Sequence, residues 1–151
     1  LISSDGLSPS KETPKTRFAT AADEERILEM SRAFFAASPY RSVQFDDESV
    51  RVLIRELMAT GCIILSEHGF IAGALTPLFF APHVLVATEI AWWAPDEGGL
   101  YLREAFEQWG KDNGASAVEM STLNDESASR LANNLTRNGY SPLEVHYLKA
   151  L

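Results

Sequence analysis

The sequence predicts one mixed α+β domain, an antiparallel hairpin region followed by a strand–helix–strand crossover. Three observations carry this. Three apolar, strand-like runs succeed one another between Cys62 and Ala94 with only short turns between them, which favours an antiparallel meander. Two stretches ahead of them repeat apolar residues at helical spacing. Behind them come two glycines, an amphipathic helix and another strand, the order of a crossover. A chain of 151 residues that is 46% hydrophobic and 23% charged can build one ordinary globular core.

Residues 1–15, LISSDGLSPSKETPK, lack periodicity and are rich in Ser, Pro and Lys, so they read as a flexible arm ahead of a domain over 16–151. TRFAT (16–20) is a short first strand. Thr20 with Asp23 three residues later forms a helix start, and Ile27, Met30 and Phe34 follow at helical spacing. The loop 37–45 leads to Asp46 or Asp47 as the next cap. Val50, Leu53, Ile54, Leu57 and Met58 then fill one helical face until Gly61.

Strands are expected at 62–67, 70–80 and 84–94, with turns at His68-Gly69 and at Ala81-Pro82-His83. Pro77 marks an edge, bend or bulge in the second of them. A helix over 100–113 turns Leu102, Ala105, Phe106 and Trp109 inward and stops at Gly114. SAVEMST (116–122) is a strand. Asn124 caps another helix, with Ala128, Leu131, Ala132 and Leu135 inward. The end, YSPLEVHYLKA, reads as a last extended strand, and its apolar character is compatible with a homodimer.

Net charge is −8, which disfavours nucleic acid and anionic lipid and suits a cationic partner such as an amine, though solubility alone also explains it. No apolar run can span a bilayer, and no charged-then-apolar leader opens the chain. Cys62 is the only cysteine, so an internal disulfide and a thiolate-rich metal site are out of reach. No two of His68, His83 and His146 have ligand spacing, so no metal is expected. The compartment these features suggest is a reducing, cytoplasmic one.

Residues 84–110 carry the densest chemical signal. Gly98 and Gly99, where a strand hands over to a helix, let backbone approach a ligand, and the first-turn N–H groups favour an anion. An ordinary two-glycine turn is the alternative. Strict alternation would place Leu85, Ala87, Glu89, Ala91 and Trp93 on one face, and Val84, Val86, Thr88, Ile90 and Trp92 on the other. Glu89 thus sits among apolar neighbours, where burial raises a carboxyl pKa toward that of a general base; a structural carboxylate paired with Arg or Ser is the alternative.

In order and wording these segments resemble the GNAT superfamily of acyl-CoA-dependent N-acetyltransferases. TRFATAADEERILEM is similar to the family's opening, EIAWWAPDEGGLYLREAFEQWGKDNGA to its acetyl-CoA segment, and STLNDESASRLANNLTRNGY to its last motif. The wording is nearest to small bacterial and phage members. The resemblance implies a central, mostly antiparallel sheet with about four flanking helices, splayed between its fourth and fifth strands, with acetyl-CoA wedged in the split as co-substrate.

By that resemblance, backbone of Ala91, Trp92, Trp93 and Ala94 would pair with the pantetheine arm. Amides of Glu97, Gly98, Gly99, Leu100 and Tyr101 would hold the diphosphate, and Asn124 and Ser127 would lie near the pantetheine. Glu89 would take the proton of a primary amine that attacks the thioester directly in a ternary complex. Tyr40, Arg41 and Phe45 would contact that acceptor.

Two positions depart from the family pattern. DEGGLY is short, with Glu97 where Arg or Gln is usual, and Leu135 stands where many members carry the tyrosine that protonates the thiolate. The acid is then Tyr101, Tyr140, Tyr147 or water. A catalytically weak or inactive acyl-CoA-binding or protein-interaction module is the competing reading.

Overall fold

The computed structural model describes residues 16–40 and 42–149, so the arm expected at 1–15 lies outside the described residues. Strand β2 (Cys62–Leu65) is four apolar residues, all buried. Alternate side chains of a strand point to opposite faces. Ile63 and Leu65 therefore join one core with Ile27, Leu28, Ile54 and Leu57, while Cys62 and Ile64 join a second with Leu102, Phe106 and Trp109. The first core lies under helices α1 (Glu24–Ala37) and α2 (Asp47–Thr60), the second under α3 (Gly98–Asp112). Full burial of one such Leu, Ile or Phe contributes about 1.5–3 kcal/mol.

The sheet runs β1-β2-β3-β4-β5. β1 (Arg17–Phe18), β2, β3 (Phe70–Leu78) and β4 (Ala81–Trp93) pair antiparallel, and β5 (Ala117–Glu119) lies parallel to β4. This is the meander and crossover that the sequence predicts, with α3 as the crossing helix. A fourth helix, α4 (Ala128–Arg137), follows β5.

The helix starts follow from local side-chain chemistry. Thr20 N–H donates to Asp23 Oδ2 at 2.8 Å ahead of a 3₁₀ turn and α1. Arg17 grips the same carboxylate at 2.7 and 2.8 Å and holds it well below the usual carboxylate range. Asp46 caps α2 through Glu48 N–H and Ser49 N–H at 3.1 and 3.3 Å.

Four expectations change. The C-terminal segment forms no strand through Lys149; Leu143, Val145, Tyr147 and Leu148 stay exposed because no neighbouring edge is paired with them. The β3–β4 turn falls at Phe79-Phe80, so Pro82 and His83 belong to β4, and the register shift beside Pro77 absorbs the missing donor. Asn124 does not cap α4, which begins at Ala128; Asp125 Oδ1 instead accepts from Ser127 N–H and Oγ at 2.8 and 2.7 Å, and Ala132 faces solvent.

The fourth change bears on the site. Glu89 pairs with Gly73 and Ala91 with Ala72, leaving Ile90 as an unpaired bulge. The extra residue reverses the alternation. Ala87 and Trp92 belong to the α3 core, whereas Ala91 and Trp93 belong to the α1–α2 core, so Ala87 and Trp93 do not share a face.

Gly73, opposite Glu89, is where α3 presses onto the sheet. A Cβ there would stand 2.5 Å from the Phe106 ring and 2.6 Å from the Thr88 carbonyl oxygen. The carbonyl is main chain of β4 and cannot swing aside. Gly73→Ala should therefore destabilise the fold by about 1–3 kcal/mol, seen as a lower urea midpoint with an unchanged denaturant slope.

Candidate active site

The β4–β5 ladder is short. It joins Val86 to Ala117, Ala87 to Val118 and Thr88 to Glu119, and there it stops. From Glu89 to Trp93 the outer edge of β4 has no strand partner among the described residues. An unpaired edge presents alternating N–H and C=O groups to whatever enters the gap.

Glu89 stands at the point of divergence, half-buried. Its Oε2 accepts from Ser121 N–H at 3.0 Å and from Ser121 Oγ at 2.7 Å, across the mouth of the gap. Burial pushes its pKa above the ordinary glutamate value, and the negative charge of Glu119 adds to this; the two Ser121 donors pull the other way but do not win. Ser121 escaped the sequence reading. A serine just past a strand is common, and its partner lies 32 positions away in sequence.

At the far end of the gap, β4 runs through Pro95 into the first turn of α3. Gly98 and Gly99 are buried, and Gly99 lies over the Trp92 ring, 3.6 Å from where its Cβ would be. The Trp92 indole N–H is buried without a hydrogen-bond partner among the described residues. Gly98 N–H is already taken: Asp96 Oδ1 accepts from it at 2.9 Å, while Asp96 Oδ2 sits 2.9 Å from His68 Nδ1. His68, then the Gly98 amide, hold the Asp96 carboxyl below its ordinary value. Ser66, Glu67, Asp96, Glu97 and Gly98 line a cleft of about 320 Å³ here, so three acids border it. Arg26 donates to the carbonyls of Ser66 and Glu67 on its rim.

The other sequence candidates scatter. Leu100 is exposed and Tyr101 half-buried on the first turn of α3. Asn124 and Ser127 lie in the β5–α4 connection, with Ser127 tied to Asp125. Tyr140 donates to Glu107 Oε1 at 2.9 Å, an oxygen that also receives Arg103 Nη1 at 2.7 Å; burial and that carboxylate push the phenol pKa up. Tyr147 is 93% exposed. Tyr40 and Phe45 line an apolar cleft of about 450 Å³ between α1 and α2, together with Phe35, Val43 and Leu53. Arg41 lies outside the described residues. Among the described residues no cluster of His, Cys, Asp or Glu gathers to hold a metal, and no helix is long and apolar enough to cross a membrane.

The sequence matches no family model and no curated protein sequence. Solved structures do match. The aminoglycoside N-acetyltransferase AAC(6')-Iy in complex with CoA shares 14% identity at a TM-score of 0.65, over 96% of this chain and 99% of that one. An acetyltransferase of Trypanosoma brucei shares 14% at a TM-score of 0.68, over 92% and 100%. The chain has the GNAT acetyltransferase fold. Its five-strand, mostly antiparallel sheet and its four helices are features of that fold. A transcriptional regulator from Bacillus halodurans C-125 also shares the GNAT-like shape, at 17% identity and a TM-score of 0.63 over 89% and 100%. The likeness is thus one of fold, and activity has to be argued from the site.

Proposed function

We propose that this protein is an acetyl-CoA-dependent N-acetyltransferase acting on a primary amine, with Glu89 as general base. The observation that carries the reading is a half-buried carboxyl of raised pKa, placed where β4 loses its partner strand. An ammonium must lose its proton before nitrogen can attack a thioester. A carboxylate with a pKa drawn toward neutrality is suited to take it. The amine nitrogen then bonds to the thioester carbon, the C–S bond breaks, and the CoA thiolate leaves. N–H groups on the open edge of β4 would polarise the thioester carbonyl, and being fixed in the sheet they need no reorganisation.

The proton for the thiolate has few sources. The Tyr140 hydroxyl is engaged by Glu107, and Tyr147 is open to solvent, which leaves Tyr101 and water. AAC(6')-Iy, whose structure holds CoA, supports the choice of donor. An acidic surface of net charge −8 and the apolar cleft beside Tyr40 and Phe45 support an amine bearing apolar groups as acceptor. The chemistry asks for no metal.

The fit to CoA is uneven along its length. The free edge at 89–93 suits the amides of pantetheine. The diphosphate end suits less well, because Asp96 already fills the Gly98 N–H and Glu67 and Glu97 stand nearby. That observation favours the second reading, a GNAT-like module that binds CoA weakly and turns over slowly or not at all.

Two measurements separate these readings. Glu89→Gln should lower kcat/KM for thiol release from acetyl-CoA across an amine panel by about 10²–10⁴-fold; full activity at every pH would exclude the base. Asp96→Ala should tighten CoA binding by about 5–10-fold in calorimetry as the Gly98 amide is freed and a charge is lost, while weakening α3 by about 1 kcal/mol. An unchanged Kd would place the diphosphate elsewhere.

A further inference from the structure

We infer that Ser121 is a positioning residue for the Glu89 carboxylate, anchoring one oxygen so that the other is left to receive the proton. The inference rests on the reading of Glu89 as base. Both donors of Ser121, the main-chain N–H and the hydroxyl, converge on Oε2 at 3.0 and 2.7 Å. Oε1 accepts no hydrogen bond among the described residues. The carboxylate is thus held by one corner, with its second oxygen unengaged among the described residues.

Ser121 does this from the chain leaving β5, two residues beyond the last ladder pair, Thr88 with Glu119. The side-chain bridge continues the β4–β5 connection past the point where main-chain pairing ends. It therefore fixes the mouth of the gap as well as the aim of the acid.

The surroundings make the two hydrogen bonds the adjustable part of the environment. From β5 the charged group facing Glu89 is Glu119, which disfavours a second negative charge. From β3 the opposing residue is Gly73, and there α3 presents the Phe106 ring, so neither offers a polar partner. Donors to a carboxylate stabilise its charged form. Ser121 thus keeps the base ionised at a pH where burial and Glu119 would leave it protonated.

The test is a ¹³C-carboxyl titration of Glu89 in the full chain, its signal assigned by its loss in Glu89→Gln. It is paired with the pH profile of thiol release from acetyl-CoA with the best amine of the panel. Ser121→Ala should raise the Glu89 midpoint by about one unit, tenfold in its proton equilibrium, and move the acid limb of kcat/KM upward by the same amount. Ser121→Thr, which keeps both donors, should restore both. An unmoved midpoint in a folded Ser121→Ala, beside normal wild-type turnover, overturns the role of Ser121 alone. Full turnover in Glu89→Gln, or none in the wild type on any amine, removes the base reading and this role with it.

Discussion

The structure turns on a ladder that ends early. β4 is thirteen residues long, and β5 accompanies it over only three of them. Were β5 to continue alongside, the sheet would close and Glu89 would be one more residue in a covered strand. Instead the outer-edge main-chain groups from Glu89 to Trp93 have no strand partner among the described residues. α3 packs on β4 from one side at Ala87, which lies against Gly110 and shares a core with Phe106, and α1 with α2 hold it from the other through Ala91 and Trp93. A strand gripped on both faces can keep a free edge without fraying, since core packing rather than edge pairing holds it in place.

The bulge at Ile90 belongs to the same device. It lies just past the stretch of β4 paired to β5, and it sets which core each of the two successive tryptophans joins. Trp92 passes beneath Gly99 and supports the first turn of α3, while Trp93 meets Phe34 of α1 in a tilted pair with ring centroids 6.0 Å apart.

Much of this was legible in the sequence, and the misses share a cause. The Thr20–Asp23 start, the Asp46 cap and the crossover helix are local signals, set by residues within a turn of one another, and they read directly. Ile90 was not legible as a bulge, because both faces of β4 are apolar and alternation carries no phase there. Glu89 could be picked out as an acid among apolar residues, but its partner Ser121 could not, since the contact depends on where β5 departs. YSPLEVHYLKA alternates like a strand, yet a strand also needs an edge to pair with, and local pattern does not supply one. At the glycine turn the sequence singled out Glu97. The carboxylate that occupies the helix start is its neighbour Asp96, oriented by His68 from the β2–β3 turn.

In the proposed reaction the open edge of β4 receives the acyl donor. Amide hydrogen exchange with and without acetyl-CoA tests it most directly. Exchange should slow by about tenfold or more over Glu89–Trp93 and Gly99–Tyr101, beyond any uniform slowing across β1 and β2. Binding that leaves Glu89–Trp93 exchanging as before, with protection confined to another surface, would contradict it.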